Sequence, residues 1–180
     1  MGEVAIVKKK KRPIKTICFG LVLLASSTFF IALAAYKDGV NEYWEGDYEK
    51  ALSKLSQEAE DGDAKAHRYL GHLFYNGKGV TKDLEVAFSH YLEAASMGDS
   101  ISQNQVGVIY EEGKGTSQDL EEAHYWYKRS AEGGSSSAQF NLGLFYKHGK
   151  GSVGVDFEKA AKWFERAAIQ NQYKAAVQLA

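Results

Sequence analysis

Few side chains in this chain could do chemistry, and their spacing points elsewhere. The five histidines, His67, His72, His90, His124 and His148, make neither an HExxH pair nor a cysteine-histidine zinc pattern. The one cysteine, Cys18, sits in an apolar stretch, cannot form an internal disulfide and says nothing decisive about redox compartment. No GxSxG elbow occurs. Gly-Lys-Gly recurs at 77–79, 113–115 and 149–151. A phosphate cradle needs a strand before such a loop, a helix after it and Lys-Ser or Lys-Thr at its end, and none of the three has that ending. No catalytic, cofactor-binding or metal site is therefore expected.

The spacing of those loops points to the elements around them. Three stretches align, beginning at Tyr69 (YLGHLFYNGKGVTKDLEVAFSHYLEAASMGD), at Gln105 and at Asn141, 36 residues apart, with one extra residue in the third between its loop and Asp156. Each unit reads as two helices. The first carries Leu70-Gly71 with Phe74, then Val106-Gly107 with Tyr110, then Leu142-Gly143 with Tyr146, on one face. Glycine there costs a helix about 1 kcal/mol against alanine, so its recurrence predicts a close helix contact. The second helix opens at Asp83-Leu84-Glu85, Asp119-Leu120-Glu121 and Asp156-Phe157-Glu158, an N-cap followed by an acid at the positive end of the dipole.

Its buried stripe is Ala87, Tyr91 and Ala94, then Ala123, Tyr127 and Ser130, then Ala160, Phe164 and Ala167. Gly98, Gly134 and Asn171 suit the C-caps. A shorter unit precedes these, with Gly39 and Tyr43 on its first helix, Asp47 opening its second, Ala51 and Leu55 inward, and Gly62 at its end. In this register His90 takes the place of Trp126 and Trp163, and His124 that of Phe88, which favours packing over ligation. Glu111-Glu112 and Glu121-Glu122 read as solvated faces, and Lys78, Lys114 and Lys150 as solubilising loop residues.

The repeated A-x-x-x-L-G-x-x-Y-x-x-G-x-G, carried by AHRYLGHLFYNGKGV, GVIYEEGKGT and AQFNLGLFYKHGKGS, resembles the Sel-1-like repeat, a relative of the tetratricopeptide repeat. Residues 37–63 look more like a tetratricopeptide-like unit, followed by Sel-1-like units at 64–99, 100–135 and 136–172 and the start of a further or capping helix at 173–180. The resemblance implies an all-α fold, a right-handed α-solenoid of antiparallel helix pairs, acting as a non-catalytic adaptor or scaffold that binds a partner protein or peptide on its concave face. It also implies a bacterial setting, where membrane-linked and exported members are common. Some cysteine-rich members bind or hydrolyse β-lactams; with no cysteine in the repeats, a cell-wall-associated ligand-binding or hydrolytic role is the disfavoured alternative.

In a solenoid the first helices line the inner face. The outward positions are then Tyr36, Val40 and Tyr43; Arg68, His72 and Tyr75; Asn104, Val108 and Glu111; Phe140, Leu144 and Lys147. Val108, Phe140 and Leu144 are apolar where solvent would favour polar residues, as a peptide groove would show, or as packing on the adjacent repeat would.

Charge divides the chain. Lys8, Lys9, Lys10, Lys11, Arg12 and Lys15 face one acid, Glu3, in residues 1–15; taking these from the chain's 22 basic and 23 acidic residues leaves a body with 16 and 22. An acidic body argues against nucleic acid as a partner. Residues 16–36 carry no charge over 21 positions, roughly 30 Å of helix and enough to span a bilayer. The basic cluster before them predicts a cytoplasmic N-terminus and a repeat domain outside the cytoplasm, periplasmic in a bacterium. Ala32-Leu33-Ala34 also fits signal cleavage, so anchoring through 16–36 and release after cleavage near Ala34 both stand.

Overall fold

The computed structural model describes residues 38–170. The expectations for 1–37, Tyr36 among them, and for 171–180 lie outside the described residues. Every helix within them begins at a side chain that accepts from its first-turn N–H groups. Asp38, Asp47, Asp63, Asp83, Asp99, Asp119, Ser135 and Asp156 are the N-caps, in that order, of α1 (Gly39–Glu45), α2 (Tyr48–Glu60), α3 (Ala64–Asn76), α4 (Leu84–Ser96), α5 (Ser100–Glu112), α6 (Leu120–Glu132), α7 (Ser136–His148) and α8 (Phe157–Ile169). The sequence reading singled out the aspartates of the second helices. The first helices are capped as regularly. No strand occurs among the described residues, and the helix pairs α1–α2, α3–α4, α5–α6 and α7–α8 stack in chain order as an α-solenoid.

Three core layers each join the second helix of one unit to the first helix of the next, and a fourth joins α8 to its own partner α7. Ala51, Leu55 and Ala59 meet Ala66, Leu70 and Leu73. Ala87, Tyr91 and Ala95 meet Val106 and Ile109, and Ala123, Tyr127 and Ala131 meet Ala138, Leu142 and Phe145. The three second-helix stripes expected from the sequence are all buried. On the first helices the expected Phe74, Tyr110 and Tyr146 are only partly buried, whereas Leu73, Ile109 and Phe145 are fully buried. A first helix packs against its own partner and against the preceding unit, so its buried arc is wider than one stripe.

The helical glycines mark the tightest approach. A Cβ on Gly107 would stand 2.7 Å from the Tyr127 ring, and Gly71 and Gly143 face Tyr91 and Phe164 in the same way. In each pair an aromatic ring of the second helix lies against bare backbone of the first.

The Gly-Lys-Gly loops stack one unit on another. The first glycine caps the first helix in the left-handed conformation, as Gly113 does with φ 67°. The second sits on the opening turn of the preceding unit's second helix. Gly115, with φ 84°, would place a Cβ 2.2 Å from the Leu84 carbonyl oxygen, and Gly79 and Gly151 approach Tyr48 and Leu120, the equivalent residues. Two of the three loop lysines correct the solubility expectation, while Lys114 stays exposed beside Glu112. Lys78 reaches back to the Tyr43 hydroxyl at 3.3 Å and lies over the Tyr43 and Tyr48 rings, while Lys150 pairs with Glu111.

Candidate protein-interaction face

The first helices α1, α3, α5 and α7 present one continuous face, and side chains join them across it. Arg68 of α3 donates to Asp99, the cap of α5, at 3.1 Å. Asn141 of α7 donates its side-chain amide to the Asn104 carbonyl oxygen on α5 at 3.0 Å. On α1 and α3 the face is aromatic. The Tyr43 ring meets Trp44 at 5.4 Å, Tyr48 at 5.7 Å, Tyr69 at 5.0 Å and His72 at 6.4 Å. The Trp44 indole N–H donates to the Tyr69 hydroxyl at 3.1 Å. His72 Nδ1 lies 3.0 Å from the Tyr91 hydroxyl, and Tyr75 stands edge-on to Tyr91. Trp44 is 72% exposed, so this run ends in an exposed indole.

Cations border the rings. Arg68 lies over Tyr69, Lys78 over Tyr43 and Lys82 over Tyr75. His72 is half-buried, and burial first, then the positive charges of Arg68 and Lys78, lower its pKa from the ordinary 6.5. Burial raises the Tyr91 pKa well above the ordinary tyrosine range, so its hydroxyl keeps its proton.

Toward α5 and α7 the face becomes mixed. Val108 packs partly on the layer around Tyr127, and Phe140 and Leu144 pack on the layer of Ala160, Phe164 and Ala167, with the Phe140 and Phe164 rings 5.7 Å apart. These three residues are half-buried, shared between the surface and the core. Lys147 is half-exposed beside them. Two expectations are corrected. Val40, expected outward, is 6% exposed and belongs to the first core layer, because α1 is short and leans on α2 and α3. Glu111, expected as a solvated carboxylate, accepts from the Tyr127 hydroxyl at 2.7 Å and pairs with Lys150, while Glu121 accepts from the Ser152 N–H at 2.9 Å and its hydroxyl at 2.8 Å. Both carboxylates tie a unit to the loop of the next.

Sequence reasoning missed Trp44 and Tyr69 on this face. The signal was present: Tyr43-Trp44 on a seven-residue helix and Tyr69 one turn before His72. Among the described residues no group of three or more His, Cys, Asp or Glu side chains forms a metal cage. No described helix is long and apolar enough to cross a membrane.

Comparison with known proteins agrees with this architecture. The Sel1 repeat model matches residues 64–99, 100–135 and 136–172. A Sel1 repeat protein from Oxalobacter formigenes is 30% identical with a TM-score of 0.72, over 78% of this chain and 58% of that one. A protective antigen present in uropathogenic Escherichia coli strains, with an SLR fold, is also 30% identical with a TM-score of 0.72, over 77% of this chain and 31% of that one. The chain thus spans less than two thirds of the length of either structure. No curated protein matches it. With three consecutive repeat matches covering more than half of its length, and the helix pairs stacked as they require, the chain belongs to the Sel1 repeat family.

Proposed function

We propose that this protein is a non-catalytic adaptor that holds a segment of a partner protein on the face formed by α1, α3, α5 and α7. Sel1 repeat proteins are generally protein-interaction scaffolds. The observation that carries the reading is the aromatic run Tyr43, Trp44, Tyr69, His72 and Tyr75, bordered by Arg68 and Lys78 and ending in an exposed indole. Tyrosine, tryptophan and arginine dominate binding hot spots, since they present large rigid surface with one polar end. Asn104, Val108, Glu111, Phe140, Leu144 and Lys147 extend the same face with apolar and polar contacts. Residues 16–36 would tether the domain to a membrane with the N-terminus in the cytoplasm and the repeats outside it, periplasmic in a bacterium, or be cleaved near Ala34 to release it.

The test is a pulldown of tagged full-length protein from detergent-solubilised membranes, beside Trp44→Ala and Tyr75→Ala. Circular dichroism first shows that both variants keep their helices. The expected result is one or more partners recovered with the wild type and lost with the variants. Equal recovery in all samples, or none in any, defeats the assignment to this face.

A further inference from the structure

The first Sel1 unit departs from the next two at two positions together. Where the later units carry Gln103 and Gln139, it has His67; where they carry Trp126 and Trp163, it has His90. In the later units the glutamine amides donate to the Ala95 and Ala131 carbonyls, and Trp126 fills the space beside its helix at 7% exposure. In the first unit an open cleft of ≈ 310 Å³ is lined by Ser56, Ala59, Glu60, His67, Leu70 and His90. The two imidazoles turn toward each other, with His67 Nδ1 and His90 Nδ1 only 3.1 Å apart. Phe74 stacks on His90 at 5.7 Å and 14°, which holds the ring in that orientation.

We propose that His67 and His90 form a chelating site for a divalent transition metal of the zinc, nickel and copper class. Two imidazole nitrogens bound at about 2.0–2.1 Å to one ion lie about 2.9 Å apart at a right angle and about 3.4 Å apart at the tetrahedral angle. The observed separation falls between these, so the two nitrogens stand at a spacing that one ion can bridge. Imidazole nitrogen selects these metals over magnesium and calcium, which prefer oxygen. With two protein nitrogens, the open cleft leaves room for water at the remaining positions, and Glu60 is among the residues that line it.

The test uses full-length protein without a polyhistidine tag, stripped with chelator and titrated with Zn²⁺ by calorimetry and with Cu²⁺ by electron paramagnetic resonance. One saturable Zn²⁺ per chain is expected, with a Cu²⁺ spectrum showing coupling to two imidazole nitrogens and a Tm that rises with Zn²⁺. His67→Gln, and His67→Gln with His90→Trp, install the residues of the later units, so folding is retained and the saturable site is lost. His148→Ala, at an exposed position, leaves it intact. A wild type with no saturable site overturns the proposal, as does a site that survives in the double variant.

Discussion

Ser102 occupies the register of Ala66 and Ala138, where all three side chains are 0% exposed, yet its hydroxyl has no hydrogen-bond partner. An unpaired buried hydroxyl costs about 1–3 kcal/mol in mutational comparisons. Ser102→Ala is therefore expected to stabilise the protein by about 1 kcal/mol, a rise of several degrees in Tm by thermal denaturation. Gly107 gives the opposite outcome. Alanine would gain about 1 kcal/mol of helix propensity, but its Cβ would meet the Tyr127 ring at 2.7 Å. That ring is 1% exposed and its hydroxyl is held by Glu111, so it cannot swing aside. Overpacking of about 1–3 kcal/mol prevails. Gly107→Ala should lower the urea midpoint with the m-value unchanged.

Helices here are set by their ends as much as by their faces. Asp99 does two jobs, accepting from the Ser102 N–H at 2.7 Å as the cap of α5 and from Arg68 at 3.1 Å. The two side chains are 12% and 16% exposed, so the pair is mostly shielded from water. Asp99→Ala removes a cap worth about 1 kcal/mol and strands a half-buried guanidinium, for a combined loss of about 2–3 kcal/mol. Asp99→Asn keeps the cap and removes only the charge. Chemical denaturation should place it between wild type and Asp99→Ala, and equal losses in the two variants would assign the whole effect to the ion pair.

Across the whole molecule, buried titratable rings set the pH range of stability. His72, His90 and His124 are lowered from 6.5, in each case by burial first, with positive neighbours Arg68 and Lys78 at His72, His67 at His90 and Lys128 at His124. Below 6.5 the unfolded chain binds these protons and the folded chain resists them, so the stability they contribute is present above that pH and is lost as the pH falls through the folded values. Tyr91 and Tyr127 are raised above 10.0 by burial, and Tyr127 also by the Glu111 carboxylate. Their stability is present below pH 10 and is lost as the pH climbs toward the folded values, because only the unfolded chain releases the proton. A plateau from about pH 6.5 to about pH 10, falling on both sides, is expected from thermal denaturation against pH. Tyr127→Phe should flatten the alkaline limb.

Much of this fold was legible in the sequence because a repeat states each local rule several times. Leu-Gly pairs, aspartate caps and the small-aromatic-small stripes recur at 36 residues, and each helix pair must bury the face they mark. Helix type, order and the second-helix core followed from periodicity and capping alone. Tertiary structure decided what depends on contacts between units. It buried Leu73, Ile109, Phe145 and Val40 because a first helix is covered from two sides, a count of neighbours that one helix's periodicity does not carry. It turned Glu111 and Lys150 from solvated charges into a tie between units, and it brought Tyr43, Trp44 and Tyr69 into one aromatic face. It also set His67 beside His90, 23 residues apart in the chain and 3.1 Å apart in space. Local propensity repeats along a sequence, but the residues that face one another across a stack are chosen only when the units dock.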